Sequence, residues 1–388
     1  MSVPNNSLSN PWLARACAQV SGLAPYVPGK PLDELERELG IQGAIKLASN
    51  ENPLGPSPAA LHVLREHAAN VHLYPDGNGF KLKQALAQTL GVGIDSITLG
   101  NGSNDVLDLI ARAFLGQDMG KHRGAVFSEF AFAVYAISTQ AVGGLAQIAK
   151  ALPFDHAQQP YGHDLAAMRA AITEQTRVVF LANPNNPTGT WVEKDALYAF
   201  IASVPADVLV VVDEAYIEFV DEDSDFPNAL AWLAEFPNLI VTRTFSKIHG
   251  LAGLRVGYAV SHPQVAEVLN RVRQPFNVNL LAMEAAMAAL NDREHIERTR
   301  KLNRAGLAQV RAGLANLGLS ALPSMGNFLC IDLRRPAQVV YDSLLRQGVI
   351  TRPVAGYGLP QHLRVSIGTE AENARFLSAL NIVLDGLV

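Results

Sequence analysis

Thr244-Phe245-Ser246-Lys247-Ile248-His249-Gly250-Leu251-Ala252-Gly253-Leu254-Arg255 comes close behind the apolar run Leu239-Ile240-Val241. The run reads as a buried strand. Where it stops, hydroxyls, a lysine, two glycines and an arginine follow within a few residues. A lysine just past a buried strand is partly desolvated, so its neutral amine is easier to reach and can attack a carbonyl. Thr244, Ser246 and Arg255 can hold a phosphate through hydroxyl and guanidinium hydrogen bonds. Taken alone, the stretch reads equally well as a solvated loop.

Working outward, apolar runs alternate with helical patterns. Ile97-Thr98-Leu99-Gly100, Ala125-Val126-Phe127, Ala146-Gln147-Ile148, Arg177 to Leu181, Val208 to Val212 and Val256 to Val260 read as strands. Apolar strands spaced by helices predict a mainly parallel sheet covered on both faces, an α/β fold. In such sheets ligands sit at the carboxyl ends of the strands. Asn186, Asp213 and Lys247 all fall at such ends. Asp213 closes an apolar strand, where an unpaired carboxylate is costly to bury. A pyridinium nitrogen would be a fitting partner, and an amine able to form a Schiff base beside a phosphate cup is what pyridoxal phosphate requires. Tyr216, three residues on, and Asn186 can reach a ring oxygen. The plainer alternatives are a helix cap or structural ion pair for Asp213 and a turn former for Asn186.

Gly100-Asn101-Gly102-Ser103-Asn104-Asp105 leads from a strand into the periodic run Val106 to Phe114. Glycines at such a turn expose backbone N–H groups at the positive end of a helix, an anion site. Ordinary capping by Ser103 or Asn104 is the alternative. The stretch lacks the GK[ST] of a P-loop and the third glycine of a dinucleotide fingerprint, which excludes NAD. Lys46 to Ser57 is too rich in Asn, Pro and Gly for a regular element and reads as a spacer or a binding loop. Tyr74-Pro75-Asp76-Gly77 is a turn.

At 388 residues the chain can form roughly two or three domains, or one large α/β unit with an appendage. Residues 1–45 read as an N-terminal arm and helix that contribute to a small domain, 46–275 as a large domain and 276–388 as a small α+β domain. In the last, Leu281 to Leu317 reads as a long helical stretch. Asn327 to Leu333, Val349 to Val354 and His362 to Gly368 read as strands of a second sheet. Arg352 and Arg364 sit there among apolar neighbours and need an anionic partner, either a ligand or a structural carboxylate. A formal charge of −5 without runs of one sign argues against a nucleic-acid surface. No apolar run approaches the roughly 20 residues of a membrane span. Met1 to Tyr26 shows no signal-peptide pattern, and the two cysteines, Cys17 and Cys330, form no motif, so a reduced, cytoplasmic setting is expected. The ten histidines form no metal motif.

With these residues in hand, the chain resembles the fold-type I pyridoxal-phosphate aminotransferases, and within them the histidinol-phosphate aminotransferase subfamily. The resemblance runs from about Pro25 to Gly368. It rests on Lys-Leu-Ala-Ser-Asn-Glu-Asn-Pro at 46–53, Tyr-Pro-Asp at 74–76, Asn-Pro-Asn-Asn-Pro-Thr-Gly at 183–189, Val-Asp-Glu-Ala-Tyr at 212–216, Ser-Lys at 246–247, Gly-Leu-Arg at 253–255 and Leu-Arg-Val-Ser-Ile-Gly at 363–368. It implies that Lys247 carries the cofactor and then moves the proton. Asp213 would pair with the ring nitrogen, Tyr216 and Asn186 with the ring hydroxyl, and Phe132 would stack on the ring, where many relatives have tyrosine. Gly102, Ser103, Thr244, Ser246 and Arg255 would hold the phosphate, with Tyr74 reaching it from a second subunit of a homodimer. Tyr26, Asn50, Arg352 and Arg364 match positions that receive substrate.

The implied reaction is ping-pong transamination between L-histidinol phosphate and 2-oxoglutarate, giving imidazole acetol phosphate and glutamate in histidine biosynthesis. Competing readings are the same chemistry on aromatic amino acids, a decarboxylase of the threonine-phosphate type, and a non-catalytic cofactor-binding regulator.

Overall fold

The computed structural model describes residue 10 and residues 12–26, 28–118, 120–221 and 224–387. Of the N-terminal arm expected over 1–45, residues 1–9, 11 and 27 lie outside the described residues.

The apolar runs pair into one eight-stranded sheet. Its parallel centre consists of Leu145–Ala149, Lys121–Ser128, Thr176–Ala182, Leu209–Asp213 and Leu239–Thr244, each beside the next. Gly257–Ser261 and Ile97–Gly100 extend it antiparallel on one side, and Gly116–Asp118 adds a short antiparallel piece on the other. Alternate residues of the central strands serve opposite faces, as the period of a strand requires. Phe180, Val211 and Ile240 pack on Val106, Leu109 and Ile110 of the helix Ser103–Phe114. Val179, Val210, Val212 and Val241 pack on Leu197, Phe200 and Ile201 of the helix Lys194–Ser203. Burial on both faces explains why these strands show no polar alternation in sequence.

The C-terminal part carries a four-stranded antiparallel sheet in the order Ser320–Ala321, Phe328–Asp332, His362–Ser366, Arg352–Pro353. Two expectations need correction here. The helical stretch from Leu281 to Leu317 is two helices, Leu280–Leu290 and Arg293–Asn316. The break falls at Asn291-Asp292, because Asp292 caps the second helix by accepting from the His295 N–H at 3.1 Å. The run Val349 to Val354 is also divided. Val349–Ile350 pairs in parallel with Ile45–Lys46, and only Arg352–Pro353 joins the four-stranded sheet, at its edge. Pro353 has no N–H for a second neighbour, so an edge is where it fits. Among the described residues no helix is long and apolar enough to cross a membrane.

Register places the ends of the central strands side by side: Ala182 is level with Asp213, and Asp213 with Thr242. Just past these ends a buried ion pair ties two strands together. Arg243 Nη2 lies 2.7 Å from Glu214 Oε2, and Nε 2.9 Å from the same oxygen. Glu214 Oε1 accepts from the Ala229 N–H at 2.8 Å, and Arg243 also donates to Asn228 at 3.0 Å. Removing one partner of such a pair strands a buried charge. Arg243→Met is therefore expected to cost about 3–5 kcal/mol, read as a lowered urea unfolding midpoint. Adding Glu214→Gln to it should recover part of the loss, and an unchanged midpoint for Arg243→Met would refute the assignment.

Candidate active site

The carboxyl ends of Thr176–Ala182, Leu209–Asp213 and Leu239–Thr244 open into a cavity of about 180 Å³. Of the residues anticipated from sequence, Tyr26, Asn50, Ser103, Phe132, Asn186, Asp213, Tyr216, Thr244, Ser246, Lys247, Arg255, Arg352 and Arg364 all line it. Gly102 sits at its edge against Arg255. Tyr74 does not reach it: the residue is 84% exposed and its ring meets Phe276 at a tilt, ring centroids 4.9 Å apart.

Lys247 leaves the end of its strand with its Nζ 3.1 Å from the Ser49 carbonyl oxygen and 5.6 Å from the Tyr216 ring centre. Burial of the amine, and then the nearby Arg364 guanidinium, pull its pKa down from 10.5 to about 7. Asp213, on the neighbouring strand, is buried and its pKa is raised, with burial the largest cause. Tyr135 donates to its Oδ2 at 2.8 Å and Thr242 to its Oδ1 at 3.0 Å. These bonds favour the carboxylate without cancelling the effect of burial, so a cationic partner would still be favourable. The Tyr216 phenol is pushed up to about 12, chiefly by burial. It accepts from the Asn50 side-chain amide at 3.0 Å and so keeps its own proton to donate.

At the other end of the cavity lie the anion donors. Arg255 donates to the Ser246 hydroxyl at 3.2 Å and to the Ala252 carbonyl at 3.1 Å. Thr244 Oγ1 accepts from the Ser246 N–H at 3.1 Å. The helix Ser103–Phe114 begins beside them with Gly102 in the N-cap position and no side-chain cap, so the capping alternative for Ser103 or Asn104 is not what the chain adopts. Gly102 has φ +81°, and a Cβ there would stand 2.3 Å from Arg255 Nη2. Glycine is what lets the guanidinium and the helix start share one spot. Together these groups form a cup of hydroxyl, guanidinium and helix-terminal N–H donors.

Opposite the sheet, the His362–Ser366 strand brings in Arg364. Its Nη1 donates to Asn186 Oδ1 and its Nη2 to the Ala48 carbonyl at 2.8 Å, while its buried Nε has no partner among the described residues. Arg352 lies nearer the mouth, 5.6 Å beneath the ring of the half-exposed Tyr26. Asn50 holds a left-handed backbone (φ 54°) and is fixed by Ser366 and by Asn327.

The sequence reading missed Tyr135, Thr242 and Tyr357, the last a pocket-lining residue on the segment after Arg352. Two of these had a signal. Tyr135 stands three residues after Phe132, one helical turn along, and Thr242 two residues before Thr244 on the same strand face.

The model of the family described as aminotransferase class I and II matches residues 42–380. The chain is 59% identical over 375 residues to a protein named histidinol-phosphate aminotransferase 2 of Pseudomonas aeruginosa, covering 96% of this chain and 98% of the relative. It is 52% identical over 370 residues to histidinol-phosphate aminotransferase 1 of Nitrosococcus oceani, covering 95% and 97%. Its structure is similar, with TM-score 0.86 and 30% identity over 97% of this chain and 99% of the other, to the crystal structure of histidinol-phosphate aminotransferase from Sinorhizobium meliloti in complex with pyridoxal-5'-phosphate.

A lysine whose pKa is lowered to about 7 is cationic below that pH and neutral above it. In the ligand-free protein, modification of Lys247 by an amine-selective reagent should rise through neutral pH and level off, while ordinary lysines keep gaining reactivity toward their usual pKa of about 10.4. Peptide mapping of the label at several pH values checks this, and a Lys247 profile matching that of surface lysines would contradict it.

Proposed function

Because this chain belongs to the class I and II aminotransferases, we propose that it is a pyridoxal-phosphate-dependent transaminase acting between L-histidinol phosphate and 2-oxoglutarate. The observation that carries the reading is Lys247: a desolvated amine at a strand end, sharing one cavity with a buried carboxylate and an arginine-hydroxyl cup. The names borne by the relatives support the substrate, and the ligand in the S. meliloti structure supports the cofactor.

The residues present fit that cofactor. Asp213 is a buried acid in want of a cationic partner, the cup at Arg255 suits a phosphate, and the aromatic Phe132 lines the same cavity. When bound, pyridoxal phosphate supplies a carbonyl that exchanges amines and a ring that accepts the electron pair left when a substrate carbon loses its proton. Lys247 would hold that carbonyl through its Nζ and, when that amine is free, would serve as the base that takes the substrate proton and returns it. Asp213 would pair with the ring nitrogen and stabilise its protonated form. Tyr216 and the amide NH2 of Asn186 would donate to the ring oxygen. Arg255, Ser246, Thr244 and the N–H groups at Gly102 and Ser103 would bind the phosphate. Arg364, whose Nε has no partner among the described residues, and Arg352 would receive the anionic ends of the two substrates, since both phosphate and carboxylate accept bidentate bonds from a guanidinium. Tyr26 covers Arg352, and Asn50 orients Tyr216.

The decisive test adds histidinol phosphate, glutamate, phenylalanine and phosphothreonine separately to the holoenzyme and follows visible absorbance. Histidinol phosphate and glutamate should each discharge the cofactor band, and phosphothreonine should release no carbon dioxide. If phenylalanine discharges the band and histidinol phosphate leaves it untouched, the substrate assignment fails. If borohydride fixes the cofactor to a peptide other than that of Lys247, the site assignment fails as well.

We further infer a cytoplasmic homodimer. Cys17 and Cys330 are both free, which suits a reducing compartment. Tyr74 projects into solvent, the neighbouring Val71 and Leu73 are exposed, and Phe276 beside it is too. Apolar exposure of this kind suits a subunit contact, one in which Tyr74 enters the partner's phosphate cup. Mixing a Tyr74→Ala protein with a Lys247→Ala protein should then restore activity, because each hybrid dimer contains one undamaged site, roughly a quarter of all sites at equal mixing. Refolded mixtures no more active than their parents would rule out the shared site.

A further inference from the structure

Tyr135 has no role in the reading above, yet it is fully buried and its hydroxyl is spent on one partner, Asp213 Oδ2, at 2.8 Å. It lies in the helix Ala133–Ala141, directly after Phe132 at the cap. Its ring stacks face to face on Phe180, centroids 4.9 Å apart and 4° from parallel. The same ring meets Phe132 edge-on at 5.9 Å and 88°. Phe180 belongs to the strand next to that of Asp213, level with Val211. One side chain, braced by the sheet core, therefore touches both the aromatic face of the cavity and its acid.

For packing alone phenylalanine would do as well. The hydroxyl matters because a buried carboxylate needs donors. Burial and the adjacent Asp213 hold the Tyr135 phenol well above its ordinary pKa, so it stays protonated and donates. Thr242 donates to Oδ1 and Tyr135 to Oδ2, and the Ala215 backbone N–H adds a third bond to the carboxylate. That sets the plane of the carboxylate and leaves a lone pair for a partner in the cavity.

We propose that Tyr135 is a positioning residue that aims Asp213 at the ring nitrogen of the cofactor and holds Phe132 against the ring face. This rests on the cofactor reading given above. Through the acid, its influence is confined to ligands that carry a ring nitrogen.

The test compares the affinity of the cofactor-stripped protein for pyridoxal phosphate and for its 1-deaza analogue, in which a C–H replaces that nitrogen. In Tyr135→Phe the rings stay packed and only the hydroxyl is lost. Affinity for pyridoxal phosphate should fall roughly tenfold, as for loss of a hydrogen bond to a charged group, while that for the deaza analogue stays within about twofold. Thr242→Val removes the second side-chain donor and should show the same selective loss, which keeps the test alive if either variant folds poorly. Equal weakening of both ligands, or of neither, in the variants that fold would overturn the proposal, since a purely structural tyrosine does not discriminate between them. Wild-type protein that takes up no pyridoxal phosphate at Lys247 would instead overturn the cofactor reading itself.

Discussion

Burial of two opposite charges at adjoining strand ends is the constraint around which this molecule is built. Asp213 closes a strand whose other residues are all buried and apolar. Lys247 follows the next strand over. Desolvation is the largest influence on each, and it acts on both in the direction that disfavours charge, raising the acid and lowering the amine. Left to themselves the two would neutralise by pairing, but the protein keeps them in different company. The acid is taken by Tyr135 and Thr242, and the amine by the Ser49 carbonyl. What remains is an amine that gives up its proton near neutral pH and an acid still short of positive charge, which is a fit description of what an aldehyde with a basic ring nitrogen needs.

Most of this was legible in the chain because it is written in contrasts. Val208 to Val212 is unbroken hydrocarbon and then a carboxylate; Leu239 to Val241 is hydrocarbon and then hydroxyls and a lysine. Such abrupt changes mark strand ends, and parallel topology gathers the ends on one side of the sheet. The donors to Asp213 were harder to see, since a tyrosine in a helix and a threonine in a strand are ordinary core choices. Nothing in sequence says that their hydroxyls share an acceptor. The break at Asn291-Asp292 was hidden by apolar periodicity on either side, and outweighed by a cap that depends on one side chain. Val349 to Val354 read as one strand because it opens on a β-branched run; its division depends on a partner, Ile45–Lys46, some three hundred residues away in the chain.

That partner also explains the irregular loop at Lys46 to Ser57. A segment rich in Asn and Pro is unsuited to a ladder, so its backbone groups must be satisfied one by one. Leu47 still bonds backbone to backbone with Ile350 and Ser366. Beyond it the work passes to side chains: Arg364 takes the Ala48 carbonyl, Lys247 that of Ser49, and Asn327 that of Asn50. Asn52 then fastens the loop to the Ile248 carbonyl at 2.7 Å and to Thr299 at 3.2 Å. The loop is thus a seam between the two sheets, and residues from both are brought to the cavity along it.

The seam has a consequence for how an anion would be received. Arg364 is anchored at two of its nitrogens, one on the seam at Ala48 and one on Asn186, which itself follows the strand Thr176–Ala182 of the large sheet. A guanidinium held at two points does not swing to meet its ligand; the ligand must come to it. In the proposed function Asn186 would also donate its amide NH2 to the ring oxygen. The anion site and the ring would then be registered through a single side chain, so that a substrate gripped by Arg364 would arrive already placed relative to the amine of Lys247. Arg352 lies instead beneath the ring of Tyr26.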